Sequence, residues 1–141
     1  MILKGATHEE IYDAALAHIR KQGCPSINGA GCVYRDGKGN ACAVGGLFPD
    51  SHYKPEFDKA CSTSVASLLS FLCPHREDMR KALQAGGIDP DDKRAIELLR
   101  SLQDAHDSAG LRRSGDFMVT YEDNMRRVAD CFSLTYEPGE K

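Results

Sequence analysis

The segment Cys32 to Tyr53, CVYRDGKGNACAVGGLFPDSHY, decides how the rest of the chain is read. Two short strand-like runs, 32–35 and 41–44, flank Asp36-Gly37-Lys38-Gly39-Asn40. Those five residues tolerate the positive φ that a short hairpin loop needs. Gly45-Gly46 closes the second run, and Pro49-Asp50 suits a tight turn or the first turn of a helix. The pattern predicts one small antiparallel β-hairpin near residues 32–45. Two strands are marginal in water by themselves, so this ribbon has to pack on helices or pair with another chain.

Outward from the hairpin the chain reads as helical. Thr7-His8-Glu9-Glu10 fits a capping box, Ile11, Ala15 and Ile19 recur every four residues, and Gly23 suits a left-handed C-terminal cap. A helix over 8–22 follows. Ser62 or Thr63 can cap a short helix through Leu72, with Val65, Leu68, Leu69 and Leu72 inward. Pro74 stops it, and the next helix runs from His75 to Ala85, closed by Gly86-Gly87. Asp89-Pro90 reads as N-cap and first helical residue of a long helix to about Ala109, with Ile96, Leu99, Leu102 and Ala105 inward. A last helix over about 116–132 puts Met118, Tyr121, Met125, Val128, Ala129 and Phe132 on one side. The tail after Tyr136 reads as frayed. The expected class is α+β: a mainly helical single domain, 1–141, of about five helices carrying one hairpin.

Composition narrows the function classes. Of 141 residues, 41% are hydrophobic and 28% charged, which is the balance of a soluble globular chain. The net charge is −3, and residues 71–141 hold 11 of the 18 bases and 14 of the 21 acids. Both signs are mixed along helices, so the basic face that nucleic acid requires is lacking. No apolar run nears the ~20 residues that span a bilayer, and MILKGATHEE lacks the apolar core of a signal peptide. The expected compartment is the cytoplasm, where the six cysteines stay reduced. None of them forms C-x-x-C, which leaves a zinc ribbon or thioredoxin-type motif unsupported.

The segment Cys32-x-Tyr34-Arg35, Gly39-x-x-Cys42-Ala43-Val44-Gly45, Leu47-x-x-Asp50-x-x-Tyr53 resembles a set of small phage- and prophage-encoded proteins. Leu98-Leu99-Arg100-Ser101-Leu102-Gln103-Asp104-Ala105-His106-Asp107 looks like the leucine-rich stretch, ending in histidine and aspartate, that those proteins carry in their helical part. The likeness covers about half of the chain. Gly46 departs from it, standing where a cysteine or another small residue is expected. The resemblance implies a viral or prophage accessory gene, whose product would work in the host cytoplasm, and it implies no reaction.

Several residues invite chemistry and have plainer readings. Cys32 and Cys42 could face each other across the hairpin as a metal or redox pair, yet two further ligands for structural zinc are not in view, and free cysteine commonly packs as a small apolar residue. Cys73-Pro74-His75 sets a thiol beside an imidazole, but neighbours at a helix start do not point at each other. His106 lies on the apolar stripe of its helix, where a histidine with one satisfied hydrogen bond is the ordinary case. Gly29-Ala30-Gly31 and Gly37-Lys38-Gly39 complete neither phosphate-binding pattern. The Arg112-Arg113 and Arg126-Arg127 doublets sit among acids and read as surface.

The residues therefore favour a binding protein over an enzyme. The expected function is an accessory factor that inhibits or sequesters a host component, such as a defence system in the manner of an anti-CRISPR protein. Its expected surface is the hairpin and following turn: Tyr34, Arg35, Phe48, Asp50 and Tyr53. Two alternatives are a thiol or acid–base enzyme using Cys42 or Cys73 with His106 or His75, and a small-molecule or nucleotide binder. A host protein is the expected partner, a small ligand and self-association stay open, and nucleic acid and membrane are disfavoured. No cofactor and no metal are expected.

Overall fold

The structure, a computed structural model, describes residues 5–28, 31–59, 64–111 and 116–138. Five α-helices form its body: α1 (His8–Gln22), α2 (Val65–Leu68), α3 (Arg76–Ala85), α4 (Lys93–Gly110) and α5 (Phe117–Phe132). The capping box predicted for α1 is present: Thr7 Oγ1 accepts the Glu10 N–H at 3.1 Å, and Glu10 accepts the Thr7 N–H at 2.9 Å. Gly23 takes the left-handed conformation at φ 76°. α4 and α5 make the most extensive helix pair. Leu98, Leu99, Leu102 and Ala105 of α4 meet Tyr121, Met125 and Ala129 of α5 in one apolar core. α1 lies against both helices, and its Tyr12 hydroxyl donates to Met125 O at 2.8 Å.

The expected α+β hairpin is absent, and the molecule is mainly helical. In place of the hairpin, residues 24–59 wrap the helices as irregular chain with three 3-10 turns, Gly45–Leu47, Asp50–His52 and Pro55–Asp58. Strand pairing among the described residues is confined to a two-residue antiparallel ladder, β1 (Ile27–Asn28) with β2 (Gly31–Cys32), and one bridge between Arg35 and Ala41. The loop chemistry itself was read correctly. Asp36 Oδ1 accepts the Lys38 and Asn40 N–H groups, and Asp36 N donates to Asn40 O.

The ladder fails one rung further on. Residues 34 and 42 would exchange two hydrogen bonds in a hairpin. Cys42 N does donate to Tyr34 O at 3.1 Å, but the Tyr34 N–H goes to Asp58 Oδ1 at 2.7 Å. Cys42 O accepts instead from Gly46 N, which turns the chain into the 3-10 segment. Burial tells the same story. Ala41, Cys42, Ala43 and Val44 are all buried, where a two-sided strand would alternate.

Three other boundaries shift. α4 is capped by Asp92, not Asp89: Asp92 Oδ1 accepts the Arg94 and Ala95 N–H groups, while Asp89 organises the turn before it. His8 of α1 holds the other Asp92 oxygen at 2.9 Å, which ties the cap to the body. α2 ends at Leu68, and Leu72 is 91% exposed rather than inward. The Ser64 hydroxyl caps α2; Ser62 and Thr63 lie outside the described residues, as do Gly29-Ala30 and the Arg112-Arg113 doublet. The chain beyond α5 is docked: Thr135 N donates to Glu9, Tyr136 to Glu122, and Arg20 to Glu137 O at 2.7 Å. No described helix is long and apolar enough to cross a membrane.

Candidate functional site

Arg35 organises the one concave surface that gathers the residues singled out in the sequence. Its Nε and Nη2 donate to Gly45 O at 3.2 and 2.9 Å, and Nη2 also donates to Phe48 O at 3.0 Å. Nη1 donates to the Asp50 carboxylate. The guanidinium lies 5.6 Å from the Phe48 ring centre and 5.3 Å from that of Tyr53, within cation–π range. The fork thus pins the 3-10 turns to the bridge at Arg35 and leaves a cleft of about 760 Å³ beside them. His18, Asn40, Leu47 and Pro49 complete much of its wall. That volume falls within the usual range for small-molecule pockets.

Asp58 supports the cleft from behind. Its carboxylate accepts the Tyr34 N–H and the Tyr53 hydroxyl, each at 2.7 Å. Burial, and then the Asp58 carboxylate, push the Tyr53 phenol above its usual range, so it stays protonated. His18 is pushed below the usual imidazole value, first by burial. Its Nε2 faces Ala41 O at 3.0 Å, and because a carbonyl only accepts, Nε2 carries the proton. His18 is a neutral donor engaged by the backbone.

Four of the five expected surface residues, Arg35, Phe48, Asp50 and Tyr53, line this cleft. Asp50 is fully in solvent at its rim, whereas Phe48 is 4% exposed and packs against Tyr34 and Phe57. Tyr34 is buried away from the cleft, where Gln103 of α4 bonds its hydroxyl. Sequence reasoning missed His18, Asn40 and Asp58. His18 carried a readable signal, since it shares a face of α1 with Gln22, and Gln22 also bonds Ala41 through both its N–H and its carbonyl. Asp58 carried none, because nothing in a polar, proline-bounded loop marks which acid will reach back 24 residues.

The thiol and imidazole groups assemble differently from the expected pairs. Cys42 is buried with its sulfur accepting the Gly45 N–H at 3.2 Å, and burial pushes its thiol up to about 12. Among the described residues no hydrogen bond joins Cys73 to His75. Cys32 does not face Cys42; it stands with His106 and Asp107, their ligand-type atoms within 4.8 Å of one another. Such a trio has the right elements for zinc, but hydrogen-bond accounting opposes it. The Ser26 N–H donates to His106 Nε2 at 3.0 Å, which takes that lone pair. The proton is therefore on Nδ1, which donates to Asp107 Oδ1 at 2.8 Å and has no lone pair for a metal. Burial and the adjacent Asp107 push the Cys32 thiol up to about 12, away from the thiolate a nucleophile needs. His106, fully buried, works as a clamp on the wrapped segment.

Compared with protein-family models, curated proteins and solved structures, the chain matches none.

Proposed function

We propose that this chain is a phage- or prophage-encoded accessory protein that acts in the host cytoplasm by binding and sequestering a host protein, in the manner of a counter-defence factor. The observation that carries the reading is the presentation of Arg35. Its charge is held at the cleft between two aromatic rings by two backbone carbonyls and one carboxylate. A recognition surface gains from such preorganisation, because little side-chain entropy is left to lose on binding. The thiol-enzyme alternative has lost its support, since the buried sulfurs are held as thiols and His106 is committed at both nitrogens.

The test is capture from host lysate with the full chain as bait. Wild type is expected to retain a discrete host protein. Asp50→Lys, which reverses an exposed rim charge, is expected to weaken that retention at least tenfold. If no protein is enriched above background, the reading fails. A second reading, a small-molecule or nucleotide site, is favoured by the cleft volume of about 760 Å³. It predicts a thermal shift with a nucleotide panel, since ligand at 100 times its Kd stabilises by roughly 2.7 kcal/mol.

A further inference from the structure

Between α2 and α3 the chain makes a tight turn, Ser70 to Cys73, closed by Cys73 N donating to Ser70 O at 2.9 Å. Its two central residues are Phe71 and Leu72, 89% and 91% exposed. Turn centres ordinarily hold glycine, proline, asparagine or aspartate, which fit the backbone and face water at no cost. Two large apolar side chains there oppose both preferences. The turn is also braced: Arg76 Nε donates to Leu69 O at 3.2 Å, Arg76 N donates to Cys73 O, and the guanidinium lies 5.7 Å from the Phe71 ring centre. Leu69 and Cys73 pack partly against the core on either side. The result is a fixed convex knob, outside the lining of the Arg35 cleft.

The geometry points to Phe71 and Leu72 as the anchor with which this protein enters an apolar pocket, rimmed by basic side chains, on a partner protein. This rests on the binding reading above and names the surface for it. A second copy of the chain is a poor occupant. Burying a large side chain covers roughly 150–250 Å², so two knobs meeting would bury well under the ~1,200 Å² at which specific interfaces begin. Two convex knobs also cannot enclose each other, whereas a concave pocket encloses both side chains. The charges beside the knob choose the rim. Glu77 and Asp78, both exposed, open α3, and the Arg76 charge is already paired with Glu77. Those acids repel an anionic lipid surface and complement lysine or arginine.

Replacing Phe71 by the photo-crosslinker p-benzoylphenylalanine in the full chain tests this directly. Irradiation in host lysate is expected to attach one host protein at position 71. The same probe at Val119, another exposed apolar position, is expected to attach none. Mapping of the adduct should place it in an apolar pocket flanked by basic residues. Phe71→Asp/Leu72→Asp should then weaken binding of that purified protein tenfold or more, with an unchanged melting temperature. An adduct to lipid, an adduct to a second copy, or equal labelling from both positions overturns the inference. So does undiminished binding by the double variant. If Asp50→Lys abolishes capture while position 71 stays unlabelled, the knob fails and the binding reading stands; if wild type captures nothing, both fail.

Discussion

Gly46 touches the ring of His18 so closely that a Cβ there would lie 2.5 Å from His18 Cδ2. This is the position where the resembling phage pattern has cysteine or another small residue, and the contact explains why glycine stands here. Gly45 is tighter in kind, since its Cβ would meet the Tyr34 carbonyl oxygen at 2.4 Å, and backbone cannot swing aside. The two glycines therefore predict different costs. Gly46→Ala forces only the far end of a side chain to move and should cost about 1 kcal/mol in urea denaturation, within the usual range for overpacking. Gly45→Ala should cost about 3 kcal/mol or more. His18→Ala should suppress most of the Gly46→Ala penalty, because Ala41 O keeps its bond from Gln22 when His18 is removed. Additive losses in that double-mutant cycle would show that the ring is not what Gly46 accommodates.

At the scale of elements, what was legible is what local chemistry decides. The Thr7–Glu10 box, Gly23, the Met118-to-Phe132 stripe and the Asp36–Asn40 turn each follow from residues within one or two turns of one another, and each forms. The hairpin misled because its turn is real while its next rung is taken by Asp58, a competitor no periodicity reveals. The chain beyond α5 is a similar case, and its docking makes a pH prediction. Glu122 is held below its usual value mainly by Arg20, which donates through Nε and Nη2 at 2.7 Å each. A depressed carboxyl contributes stability above its ordinary value, near 4.5, and loses it as pH falls through the lowered one. Asp13 is raised by burial and then by Glu9 and Glu137, so its penalty is absent in acid and appears as pH rises. Glu122→Gln should thus lower the melting temperature near neutral pH by a few degrees, about 1 kcal/mol. Asp13→Asn should raise it there, and both effects should vanish in strong acid. A pH-independent effect of either variant would refute the assignment.

Across the whole molecule, α4 is the element through which the irregular wrap and the helices hold each other. Its Gln103 accepts the Val65 N–H at 3.0 Å and bonds Tyr34, while its His106 accepts the Ser26 N–H. Tyr34, Val44, Leu47, Phe48 and Phe57 of the wrap belong to the same apolar core as Leu98, Leu99 and Tyr121 of the helices. Wrap and helices should consequently unfold together rather than peel apart. His106→Leu tests this, because it keeps an apolar side chain of similar reach while leaving a buried backbone N–H with no acceptor. The expected cost is about 1–3 kcal/mol, the penalty for an unsatisfied buried donor. Since the loss is shared, the helical circular-dichroism transition should shift to lower denaturant, and amide exchange should speed up in the wrap and in α4 by the same free energy. If exchange rose only between residues 24 and 59 while the helical transition stayed in place, the wrap would be a separable flap. The cleft at Arg35 would then open and close on a stable helical base, and its fixed geometry could no longer be the source of its binding.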